Sequence, residues 1–246
     1  MNKPPSDLTV TPAANDKVYT AAKDLLAILG TLLIVKYALL RVDALWTYAG
    51  PISLLASGAV ATWRLGKSNE SWADLGLARP TGWKKLLAWT VAVFLVTTVA
   101  GILLEGIASS LLTGPSGEPA ARYASRFANV PGNTPQYLFW LAVAWIIGGF
   151  AEEMLFRGFL ITRFERLFSR FPFAVVIAVL LQAILFGQQH YYYQGLSGAL
   201  ATGAIALVSG GFYLLLKRNL WPLTLSHGLA NTIGLTLIYT GIQPAG

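Results

Sequence analysis

The sequence predicts an all-α fold, a polytopic membrane helix bundle of about seven to eight transmembrane helices. Three observations carry this. Hydrophobic residues fill 55% of the 246 positions and charged residues only 12%, against about 25% charged in an average soluble domain. The mean hydropathy is +0.57. The apolar residues gather in runs near the ~20 residues that a helix needs to cross a bilayer.

The elements follow in order. Residues 1–24 open with the polar, Pro-rich "MNKPPSDLTVTPAANDK" and are expected to form a disordered cytoplasmic tail. It has no early apolar core, so it does not read as a signal peptide. Residues 25–112 hold the N-terminal transmembrane helices, with apolar spans at 25–40, 46–63 and 86–107. Between the last two, "RLGKSNESWADLGLARPTGWKK" reads as a loop with a short interfacial piece at Trp72 to Leu77. Residues 113–136 are rich in Gly and Pro and read as an extracytoplasmic loop. Residues 137–246 hold four more spans, at 137–160, 172–190, 196–216 and 221–241, which form a four-helix core. The Gly198, Gly203, Gly210 and Gly211 series suits close helix packing.

The net charge is +7. Basic excess can signal nucleic acid, but these charges lie between apolar runs, and no nucleic-acid partner is expected. Arg64, Lys67, Lys84, Lys85, Arg163, Arg166, Arg170, Lys217 and Arg218 share one side if the spans alternate. Positive-inside topology makes that side, and the N-terminus, cytoplasmic. With no cysteine, there is no disulfide framework, thiolate metal site or cysteine nucleophile.

Ionisable groups inside a span are costly, and they are functional-site candidates by default. "FAEEMLFRGFL" carries Glu152, Glu153 and Arg157 in apolar company. Glu153 and Arg157 are four apart, so they share a helix face and can pair. Glu152 is then left over, free to act as a general base for water. The two histidines also fall on late spans. His190 lies four residues after Phe186 in "LFGQQH", and could help hold that water. His227 lies four before Asn231 in "HGLAN"; this pair could donate N–H groups to a developing oxyanion.

Plainer readings exist for each. The acidic pair could sit at a helix end in water, His190 in an interfacial aromatic belt beside Tyr191 to Tyr193, and His227 with Asn231 could serve as interhelical glue. Two histidines and a glutamate could also hold zinc. The HExxH spacing is absent, however, and Asn is a poor zinc ligand, so no cofactor is expected.

In order and placement, "EEMLFRG", "FGQQH" and "HGLAN" resemble the EExxxR, FxxxH and HxxxN motifs of the CAAX protease and bacteriocin-processing (CPBP, or Abi) family. "WADLGLARPTGWKK" also resembles a segment that often precedes the core in bacterial members. The resemblance implies a metal-independent, glutamic intramembrane endopeptidase in a bacterial inner membrane. Its substrate would be a membrane-associated peptide or protein: CaaX-like, a leader peptide or a membrane protein. By it, Glu152 activates water, Glu153 and Arg157 support the site, His190 positions the water, and His227 with Asn231 stabilises the oxyanion.

Two readings from other classes stand beside it. One is a catalytically silent immunity or scaffold protein that binds a partner in the same polar cavity. The other is a proton-coupled transporter, for which inverted repeats are missing. Simple alternation would put His190 at the far end of its span, away from Glu152 and His227. Either the fifth span begins late, or tilted helices bring all four groups to mid-depth. The second is expected, with the cavity open to the cytoplasm.

Overall fold

The computed structural model describes residues 12–80, 82–111 and 125–242. These are helical with short connections; among them there is no strand. Seven helices form the bundle: α1 (Pro12–Leu39), α2 (Ala49–Lys67), α3 (Trp83–Leu111), α4 (Thr134–Leu167), α5 (174–194), α6 (196–215) and α7 (Trp221–Tyr239). A 3-10 turn, Asp43–Tyr48, leads into α2, and a wide turn, Ala73–Leu77, fills the middle of the α2–α3 connection.

Among the described residues, five stretches are long and apolar enough to cross a membrane: Asn15–Leu39, Asp43–Lys67, Trp83–Ala108, Thr134–Leu167 and Ala174–Leu215. The last, at 42 residues, is two arms. Gly195 has φ 68° and ψ −167°, outside any helix and in a region only glycine enters freely. Gln182 then donates to the Ala206 carbonyl at 2.9 Å across 24 positions, which a straight helix would hold about 36 Å apart. The arms therefore run antiparallel, as the two separate spans 172–190 and 196–216 required. They meet at Gly187, where a Cβ would lie 2.3 Å from the Ala199 carbonyl oxygen. Gly203 and Gly210 also face the opposite arm, whereas Gly211 faces open space. α7 has 19 residues but is not among the five, because Thr224, Ser226, His227, Asn231, Thr232 and Thr236 dilute its apolar content.

α4 is the central helix. It packs on α1, α2, the α5–α6 hairpin and α7. Asn133 caps it by accepting from the Gln136 amide, with Pro135 in its first turn, so it starts at Thr134 rather than at 137.

The tail expected over 1–24 needs correction. α1 begins at Pro12, and residues 1–11 lie outside the described residues. Asp24 is fully buried. Its two oxygens take Arg64 at 2.5 Å and Arg163 at 2.7 Å, and Arg163 continues to Glu70, which clasps Arg166. This network ties α1, α2, the α2–α3 connection and α4 together at the basic end of the bundle. The Arg166 hydrogen bond, opposed by partial burial and aided by Arg163, holds the Glu70 carboxyl below its ordinary value. Glu70 therefore contributes fully above pH ~4.5, and its contribution fades as pH falls through its lower folded value.

Removing one partner from a buried pair leaves an uncompensated charge. Asp24→Asn is expected to cost on the order of 3–5 kcal/mol. Arg166→Gln, at the exposed edge, should cost about 1 kcal/mol or less. Thermal unfolding of the detergent-solubilised variants measures both, and equal shifts would reject a buried keystone at Asp24.

Candidate active site

The middle of α4, Ala144–Leu160, is wound as a π-helix, a winding that often marks functional segments. It carries the two acids. Glu153 turns inward and is 2% exposed, while Arg157 is 1% exposed. Arg157 Nη1 lies 3.2 Å from Glu153 Oε1. The same oxygen takes His227 Nδ1 from α7 at 2.8 Å. Glu153 is thus shared between a cation on its own helix and an imidazole 74 positions away.

Phe186 on α5 covers Arg157, with the guanidinium carbon 4.5 Å from its ring centroid. Its ring also packs edge-on against Phe156, with centroids 5.0 Å apart, and beside the His190 ring at 4.7 Å. The FxxxH pairing therefore has a physical content. One aromatic side chain covers a buried cation and sets the place of the histidine one turn on.

Glu152 differs from its neighbour. Its side chain is 20% exposed, and among the described residues it makes no hydrogen bond. Its nearest ionisable partner is His227, whose Nε2 is 3.8 Å from Oε2. His190 Nδ1 lies 2.8 Å from the Phe186 carbonyl oxygen. A carbonyl only accepts, so Nδ1 carries the proton, and the neutral ring keeps an acceptor at Nε2. By the same reasoning His227 donates from Nδ1 to the Glu153 carboxylate, and its Nε2 becomes a donor only as imidazolium. Asn231 sits against Gly148 of α4, where a Cβ would come within 2.5 Å of Nδ2. A Cβ here would push the Asn231 amide out of this place.

Glu152, Glu153, Arg157, Phe186, His190, His227 and Asn231 all line one cavity of about 730 Å³. α5 starts at Ala174, so the stagger of the helices, and not a late start, brings His190 to the others. The expected direction of opening needs correction. The lining runs from mid-depth to the end formed by Gly50, Arg126, Trp140, Tyr192 to Gln194 and Ile238. No lining residue comes from the end that carries Arg64, Lys67, Arg163, Arg166 and Arg218. The polar pocket and the basic clusters occupy opposite ends.

Three polar features escaped the sequence reading. Lys36, 1% exposed, donates to the carbonyls of Gln188 and Gln189 at 3.4 and 3.3 Å, just before His190. Glu105 of α3 and Arg126 also line the cavity. The rule that flagged Glu152, an ionisable group inside an apolar run, would have found Lys36 and Glu105 in the N-terminal half. α2 and α3 line the pocket too, through Leu54 and Thr97, so the cavity is not confined to the last four helices. Among the described residues, no group of three or more His, Asp or Glu side chains is placed to hold a metal ion.

Residues 134–233 match the model of the family described as "Rce1-like: Type II CAAX prenyl endopeptidase Rce1-like". The match covers α4 through the first two-thirds of α7 and contains all seven motif side chains. No curated protein and no solved structure gives a significant match to the chain.

Proposed function

We propose, from the match of residues 134–233 to the Rce1-like type II CAAX prenyl endopeptidase family, that the chain cleaves a membrane-associated peptide or protein with a water activated by Glu152. It is an integral membrane protein of a protease family. The observation that carries the mechanism is the division between the acids. Glu153 Oε1 is engaged by both Arg157 and His227, while Glu152 faces the cavity and, among the described residues, makes no hydrogen bond.

The steps follow from the donors and acceptors present. A water held between Glu152 and the acceptor Nε2 of His190 gives a proton to Glu152, and its oxygen adds to the scissile carbonyl carbon. The oxyanion meets the Asn231 amide and, in the imidazolium form, Nε2–H of His227. Glu153 keeps His227 oriented. Collapse breaks the C–N bond, and the proton on Glu152 passes to the leaving nitrogen. No covalent enzyme intermediate and no metal takes part.

Membranes carrying the wild-type chain should therefore gain new protein termini that membranes carrying Glu152→Gln lack. The wild-type set should persist in a strong chelator. Identical sets of termini would reject hydrolysis, and loss on chelation with recovery on zinc would reject the metal-free route.

We also propose a bacterial inner-membrane location with the basic end, and so the N-terminus, in the cytoplasm. The cavity then reaches toward the opposite face. Single cysteines, placed in a chain that has none, test this. Cysteine at Ser68 should react with an impermeant thiol reagent only from the cytoplasmic side. Cysteine at Ala230, on the cavity wall, should react only from the other. Labelling of both from the same side would overturn the arrangement.

A further inference from the structure

Arg126 differs from the other arginines that line or underlie the site. The buried arginines Arg157 and Arg163 have carboxylate partners. Arg126 lines the same cavity as Glu152 but at its outer end, in the short turn that precedes α4. Its guanidinium carbon lies 5.5 Å from the Phe127 ring centroid, 5.0 Å from Trp140 and 5.1 Å from Tyr193. Its Nε is buried without a hydrogen-bond partner. Among the described residues, no carboxylate lies within ion-pair distance, Glu105 included, although Glu105 lines the same cavity from α3.

A guanidinium stays charged at any working pH and presents a planar fork of donors. Aromatic faces attract it and fix its plane, but a ring offers no hydrogen-bond acceptor comparable to an oxyanion. The cage thus holds the cation in place, and among the described residues its Nε has no acceptor. The mate for such a fork is a carboxylate. Ile102, Leu237 and Ile238 give the outer wall apolar surface, beside the polar side chains of Glu105 and Gln194.

We propose that Arg126 is a specificity residue of the substrate cavity, where it captures a carboxylate borne by an otherwise apolar peptide segment. This rests on the peptidase reading above. The carboxylate enters the outer end of the cavity, pairs with Arg126 inside the ring of Phe127, Trp140 and Tyr193, and so sets which peptide bond lies over Glu152. A free C-terminus and an acidic side chain offer the same chemistry.

The test measures binding apart from turnover. The full-length Glu152→Gln chain in detergent micelles is titrated with three N-dansyl apolar hexapeptides: one with a free C-terminal carboxylate, one with a C-terminal carboxamide, and one carboxamide with an internal glutamate. At least one carboxylate peptide should bind about tenfold or more tightly than the plain carboxamide, the scale of one charge-assisted contact. Preference for the first or the third identifies the source of the anion. Adding Arg126→Gln should erase the difference, and Arg126→Lys should keep part of it, with unfolding temperature checked for each. If the Gln form does not fold, loss of most of the preference in the folded Lys form serves instead, because a lysine cannot match the planar fork. Equal affinity for all three peptides with Arg126 intact overturns the proposal, as does an unchanged preference in a folded Arg126 variant. Failure of the peptidase reading would show in the termini experiment and leave this binding result standing.

Discussion

Glu152→Gln is expected to lower peptide hydrolysis by about 10²–10⁴-fold, the range of a positioned general base, with no loss of folded protein. Glu152 makes no hydrogen bond among the described residues and sits at the cavity wall. The amide is nearly isosteric, so it should disturb neither packing nor the Glu153 pairings. What it removes is the ability to take a proton from water. The measurement is turnover of a membrane-peptide substrate by purified protein, with unfolding temperature and chromatographic profile as controls. Retained turnover in a folded Glu152→Gln chain would reject Glu152 as the base.

Glu153→Gln should behave differently, although it is the same chemical change one position on. Glu153 Oε1 holds both Arg157 and His227, and Arg157 is 1% exposed. A neutral amide leaves that guanidinium without its counter-charge, at a cost on the order of 3–5 kcal/mol. It also gives His227 a neutral acceptor in place of a carboxylate, which holds the imidazole less firmly and no longer favours its imidazolium form, so the folded fraction should turn over substrate poorly as well. The diagnostic is the combination of a lowered unfolding temperature with lost activity. Equal, purely catalytic losses from the two glutamates would reject the division of roles.

Much of this was legible in the chain. The apolar runs announced the helices, because a bilayer admits few other ways to satisfy a backbone. Even the α5–α6 break was visible as two spans around "YYYQGLS", although it took φ at Gly195 to show a reversal. The Glu153–Arg157 pair was readable because it is local, one helical turn long. By the same logic His190 and Phe186 were found together, though not the reason. Only the structure shows that the Phe186 ring covers Arg157.

What the sequence could not contain was every contact between helices. Asp24 looked like part of a tail because its partners, Arg64 and Arg163, are 40 and 139 positions away. Glu153 looked committed to Arg157 alone because His227 approaches from another helix. The direction of the cavity was misjudged for the same reason. Counting depth along single helices put the opening at the basic end, whereas the lining comes from α2, α3, α4, the hairpin and α7 together. Periodicity and spacing determined what each helix is and which of its faces is polar, since those are properties of 3.6 residues per turn. The tertiary structure decided which polar faces meet, because close approach depends on where small residues such as Gly149 and Gly187 let two backbones touch.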